Sequence, residues 1–184
     1  PIIRENQDGS FDQLMRITKN GIPIYYSLDN VDAAISTRAN RLHNGNSLGL
    51  NIEGQGMIAY VWDGGPIRIS HREFTGLTGA RALIGDGQTV LDNNSFHATH
   101  VSGTIAAAGL NAQAKGMAPK AEVIANNWNN DESEMAAAAA NGALISNHSY
   151  GIPLASLSNF SELIGKYTGS AKSIDQIAYN APYY

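Results

Sequence analysis

The sequence contains no cysteine, and this removes three kinds of chemistry at once: disulfide staples, a thiolate nucleophile and cysteine-ligated zinc. It is also poor in positive charge. Twelve Lys plus Arg stand against 16 Asp plus Glu, a net charge of −4. There is thus no excess of cations to neutralise a phosphate backbone, and nucleic acid is not expected as a partner. No apolar run approaches the roughly 18 residues that span a bilayer, and the opening "PIIRENQDGS" has no apolar core of a signal peptide. A soluble chain without membrane insertion is expected. No repeat or linker interrupts it, and its one biased stretch, Ala136 to Ala140, reads as a helix interior.

What is present is the composition of a globular domain. The 184 residues are 43% apolar, enough for one sizeable core. Residues 14–26 alternate loosely, and Val31, Ala34, Ile35, Ala39 and Leu42 then recur at helical spacing, so residues 1–47 read as an N-terminal arm with one helix. From residue 48 onward short apolar runs alternate with helical patterns. "MIAYVWD", "ARALIG", "AEVIAN" and "ALISNHSYG" read as strands. "HATHVSGTIAAAG", "DESEMAAAAANG" and "SAKSIDQIAYN" read as helices, the first two lying between strands. This order implies an α/β fold, a parallel sheet flanked by helices on both faces.

Ligands of such sheets collect beyond the carboxyl ends of the strands. Asp63 ends one strand and His97 begins one helix, so both belong at that rim. A carboxylate beside an imidazole is the orienting half of a nucleophilic triad: the acid fixes the ring tautomer and stabilises the imidazolium that forms when the ring takes a proton. Small neighbours Ala98, Ser102 and Gly103 suit close packing of the helix on the sheet. His100, one turn further in, reads as packed and hydrogen-bonded. His148 reads as a buried, satisfied strand residue, and His43 and His71 as surface or loop residues. The cluster "NNWNND" (126–131) reads as a loop whose amides satisfy backbone groups, with Trp128 placed to border a cleft.

These residues carry a resemblance. "IAYVWDGG" with "ISHREF" downstream resembles the surroundings of the catalytic Asp of subtilisin-like serine proteases, the subtilases. "HATHVSGTIAA" resembles their His motif, usually H-G-T-H-V-A-G-T, and "KGMAPKAEV" and "SNHSYG" resemble two further stretches in the same order. The match covers Leu48 to Gly151, with a weaker echo in "SIDQIAYNAPYY", and implies that residues 48–184 are the N-terminal part of a peptidase domain, incomplete at its C-terminal side. By resemblance Asp63 is the triad acid, His97 the general base, and Ser149, Tyr150 and Gly151 the segment that pairs with an extended polypeptide substrate like an added strand. Gly64 stands where the family has Thr or Ser, and Ala98 where it has Gly.

The family's oxyanion-hole Asn and its "GTSMA"-type serine segment have no counterpart here, and neither "GNSLG" nor "TGSAKS" forms a strand–turn–helix elbow. The resemblance therefore implies a serine endopeptidase whose nucleophile lies beyond this chain. The chain alone is expected to be inactive, with the remaining C-terminal part of the domain as its partner and its open flank covered either by that part or by a neighbouring copy. Secretion or cell-surface exposure is implied by the family alone. So is calcium, a common family ligand, but no acidic cluster marks a site and no cofactor is assigned. Two rivals remain open: a catalytically degenerate fold serving as a binding module, and a hydrolytic metal held by His97 and His100 with Asp63 or Asp92. The zinc-protease signature needs histidines at i and i+4 with an intervening Glu, which this pair lacks.

Overall fold

The computed structural model describes residues 3–5, 11–17, 21, 23–27, 30–75, 79–151, 164–181 and 183–184. The segment expected to be an arm contains three strands, β1 (Ile3–Glu5), β2 (Phe11–Ile17) and β3 (Pro23–Ser27), which form an antiparallel sheet in the order β1-β2-β3. The loose alternation of residues 14–26 was the signal of strand. A register shift between Leu14 and Arg16 weakens that alternation, because an irregularity there breaks the two-residue period. The expected helix is α1 (Asn30–Thr37); it stops at Arg38, which takes a left-handed conformation before a 3-10 turn, Ala39–Arg41.

The second sheet is fully parallel and four-stranded. Strands β4 (Ile58–Asp63), β5 (Ala82–Ile84), β6 (Glu122–Asn127) and β7 (Ser146–His148) lie in the order β5-β6-β4-β7. Val61 pairs with Ala125 and Asp63 with Asn127, so β4 and β6 end level at the same rim. The expected strand "ALISNHSYG" is shorter than read: only Ser146–His148 pair with β4, at Tyr60 to Trp62. Between the strands run α2 (Arg72–Thr75), α3 (Ser95–Ala106) and α4 (Asp131–Ala140), and α5 (Gly169–Asn180) follows. The stretch from Phe160 that leads into this helix reads in the sequence as a loop, and its start lies outside the described residues. Helix α4 ends as its sequence suggests. Gly142 adopts φ +92°, its amide and that of Ala143 bond back to the carbonyls of Ala139 and Ala138, and these two bonds close a Schellman motif.

Helices cover both faces. On one, Ala98 and Ala106 of α3 join Val61, Val123, Ala125, Ile67 and Phe74 in the core. On the other, Trp62 bonds Glu134 of α4, and Tyr60, Ile124 and Asn126 face the same helix. The crossovers β5–α3–β6 and β6–α4–β7 step the same way across the sheet yet pass over opposite faces. Two parallel crossovers so related have opposite hands, so one of them is of the rare left-handed kind. This arrangement sets α3 beneath β4 with its first turn at the carboxyl rim.

Candidate active site

Asp63 is the last residue of β4, and its side chain is only 3% exposed. His97 is the third residue of α3, and its side chain is 50% exposed. The two meet where expected: His97 Nδ1 lies 2.9 Å from Asp63 Oδ1 and 3.0 Å from Oδ2. An ionised carboxylate can only accept, so Nδ1 carries the proton and the unprotonated nitrogen of the neutral ring is Nε2. The Gly64 amide donates to Asp63 Oδ1 at 2.7 Å, which fixes the carboxylate from its backbone side. A buried acid held by two donors and a half-exposed ring held through one nitrogen form a base with its free nitrogen at the surface.

The turn after Asp63 is built by its neighbours. The side-chain amides of Asn94 and Asn127 both donate to the Gly64 carbonyl at 3.3 Å. A Cβ on Gly64 would lie 2.9 Å from the Trp128 ring and 3.2 Å from Asn94 Cβ, so the missing Thr or Ser of the family motif is explained by an indole packed in its place. A Cβ on Gly65 would come within 2.4 Å of an Asp92 oxygen. That carboxylate accepts the amides of Asn94 and Ser95, at 2.8 and 3.0 Å, and so caps the start of the His97 helix. Of the polar cluster 126–131, Asn127 satisfies backbone as expected: its amide oxygen accepts the Asn129 N–H at 3.1 Å.

Helix α3 meets the sheet through Ala98 and Ser102, both wholly buried. Gly103 does not share this role, since a Cβ there would meet nothing within 4 Å. His100 is exposed, and among the described residues its ring has no hydrogen-bond partner, contrary to the reading of a packed and bonded residue; it lines a cavity of about 540 Å³ with Phe74, Phe96 and Thr104. Partial desolvation of the ring, with His97 nearby, holds its pKa below the ordinary histidine value. His43, read as a surface or loop residue, lies in a loop but is buried, with its Nε2 2.9 Å from the Met117 carbonyl. The residues do not come together as a metal site: Asp63 is directed at His97, Asp92 at backbone amides. No group of three or more His, Asp or Glu side chains among the described residues is placed to hold an ion.

Ser149 and Gly151 are exposed and Tyr150 is half-buried, just past the end of β7. The Tyr150 hydroxyl donates to Asp131 Oδ2 at 2.6 Å and stands 2.8 Å from His148 Nδ1. Its ring meets Trp128 edge-on, centroids 5.4 Å apart. His148 stacks on Trp62 with the planes 2° apart, and its Nε2 is 2.9 Å from Ser146 Oγ. Burial lowers the His148 pKa, with Asp131 opposing, and raises that of Tyr150, with Asp131 adding to the rise. Sequence reasoning missed Asp131 as a partner of this segment. Its only signal was an acid at a helix start, which a helix dipole explains equally well.

A model of the subtilase family matches residues 38–182. The chain belongs to the subtilase family. The described α/β fold, with its parallel sheet and flanking helices, agrees with that membership. Among curated proteins the subtilase-type proteinase isp6 of the sexual differentiation process in Schizosaccharomyces pombe is 44% identical over 72 residues. That stretch is 39% of this chain and 14% of the yeast protein. Membership supports a serine protease of the subtilisin type. No helix among the described residues is long and apolar enough to cross a membrane.

Proposed function

We propose that this chain supplies the acid and base of a subtilisin-type serine endopeptidase. The observation that carries the proposal is the Asp63–His97 contact at the carboxyl rim of the sheet. In this reading a serine from a segment outside these 184 residues attacks the peptide carbonyl. His97 Nε2 takes the serine proton and later returns it to the leaving amine, while Asp63 holds the ring and stabilises the imidazolium. An Asn from the same outside segment donates to the oxyanion. Ser149, Tyr150 and Gly151 pair with the substrate backbone as an added strand, and the substrate is an extended polypeptide.

The remaining part of the peptidase domain is the partner this mechanism requires, and secretion or surface exposure follows from the family alone. No resident metal takes part in these steps. The metal-dependent rival gains no support, since Asp63 is engaged with His97 and Asp92 with backbone amides, which leaves His100 without a carboxylate beside it among the described residues. The binding-module rival is separated by experiment. The full-length protein should react with a fluorophosphonate probe and cleave an unfolded polypeptide, and His97→Ala should lose both. A full-length protein that binds peptides, ignores the probe and cleaves nothing would refute the protease reading.

A further inference from the structure

Beyond His148 the ladder of β7 with β4 has ended at Trp62, so the segment 149–151 leaves the sheet just where a substrate strand would join it. What fixes it there is the side chain of Tyr150. The hydroxyl is bound twice and the ring is wedged against Trp128. The directions of these bonds follow from one constraint. Asp131 can only accept, so the Tyr150 O–H donates to it; the Tyr150 oxygen then accepts from His148 Nδ1–H. Neutral His148 consequently accepts at Nε2 from the Ser146 hydroxyl, whose oxygen receives the Tyr184 hydroxyl. The result is one directed chain of donors, Tyr184 to Ser146 to His148 to Tyr150, ending on the Asp131 carboxylate at the first turn of α4.

A hydrogen bond to a carboxylate is about twice as strong as a neutral one, so the terminal Asp131 bond anchors the whole chain. Trp128 adds a second link, since the same indole that touches Tyr150 also packs over Gly64, the residue after Asp63. The position of Tyr150 is therefore tied both to α4 and to the turn that carries the catalytic acid. We propose that Asp131 is a positioning residue for peptide hydrolysis: through the Tyr150 hydroxyl it holds the segment 149–151 in the extended course that a substrate backbone pairs with. This inference rests on the protease reading of the same site. It assigns to Asp131 no contact with substrate, and its effect is on binding of extended chains rather than on bond cleavage.

The test uses the full-length enzyme with two substrates that differ in reach. An extended fluorogenic peptide needs the paired strand, whereas a small fluorophosphonate needs only the reacting groups. Tyr150→Phe removes the hydroxyl and keeps the ring, so the fold is retained even if Asp131→Ala proves unstable. Each variant should raise KM for the peptide about fivefold to tenfold, with kcat and the labelling rate within about twofold of wild type. Asp131→Asn, which keeps an acceptor, should recover part of the loss. The double variant should be no worse than either single one, since both remove the same bond. Unchanged KM in Tyr150→Phe, additive losses in the double variant, or a parallel fall in labelling would overturn the positioning role. A wild-type enzyme that does not label would instead sink the protease reading, and this inference with it.

Discussion

The two oxygens of Asp63 lie almost equidistant from His97 Nδ1, at 2.9 and 3.0 Å, although the two residues are 34 positions apart in the chain. The contact is made by a strand end and a helix start arriving at one rim. It leaves the helix residue half-exposed and the strand residue buried. That asymmetry is what a general base needs: an orienting acid shielded from water and a ring edge open to substrate.

The first prediction follows from this pair. In the full-length enzyme, Asp63→Asn would keep the shape but present a group that can also donate, which permits the wrong ring tautomer. Activity should fall about 10⁴-fold, as for orienting acids of this triad class. His97→Ala should fall at least as far, and the two together should cost no more than His97→Ala alone, because the residues act as one unit. Single-turnover cleavage of a peptide measures all three. Losses that multiply would contradict a shared role.

Gly64 provides a second test. Introducing the threonine common in the family should push the Trp128 ring aside, because the new Cβ alone would stand 2.9 Å from it. Overpacking of this kind costs about 1–3 kcal/mol. Thermal unfolding should show Gly64→Thr to be destabilised, and Trp128→Ala should relieve the clash so that the double variant loses less than the sum of the singles. Strict additivity would mean that the indole does not set the identity of residue 64.

How much of this was legible beforehand differs by element. The strands β4 and β6 were readable because they are buried on both faces and so carry continuous apolar runs, Val61 being flanked by Tyr60 and Trp62 and Val123 by Ile124. Asp63 and His97 were readable because each sits at an element end with a local motif around it. The antiparallel sheet β1–β3 was not, since its alternation is broken by an irregular register. The hand of the crossovers was also hidden, because a sequence states the order of elements but not the face over which a helix passes. His43 looked like loop punctuation beside Asn44 and Gly45. Only the fold shows that its ring is buried against the Met117 carbonyl, 74 residues away.

Ser102 supplies a stability prediction. Its hydroxyl is buried between α3 and the sheet with no hydrogen-bond partner among the described residues, and the subtilase motif places Ala at this position. An orphaned buried hydroxyl is costly, and Ala also has the higher helix propensity. Ser102→Ala should therefore stabilise the full-length protein by about 1 kcal/mol, visible as a higher midpoint in urea at unchanged slope. A lower midpoint would show that the hydroxyl has a partner after all.

The last prediction concerns acid. Glu53 is buried beside Lys115 and Lys120, whose ammonium groups lie 3.1 and 2.7 Å from its two carboxylate oxygens. Burial alone would raise its pKa, but the hydrogen bonds from Lys120 and Lys115, with their charges, prevail and bring it down to about 2 from 4.5. A depressed carboxylate stabilises the fold while both states are ionised. That contribution is whole above pH 4.5, declines as the unfolded chain takes up its proton, and is gone once pH falls through 2. The two lysines are partly exposed, which screens the pair, so the neutral-pH loss in Glu53→Gln should be modest, on the order of 1 kcal/mol. The sharper readout is the slope. Between pH 4.5 and 2 the wild-type melting temperature should drop more steeply than that of Glu53→Gln, and the two curves should converge at the acid end. Parallel curves over that range would show that the lysines do not hold the carboxylate ionised.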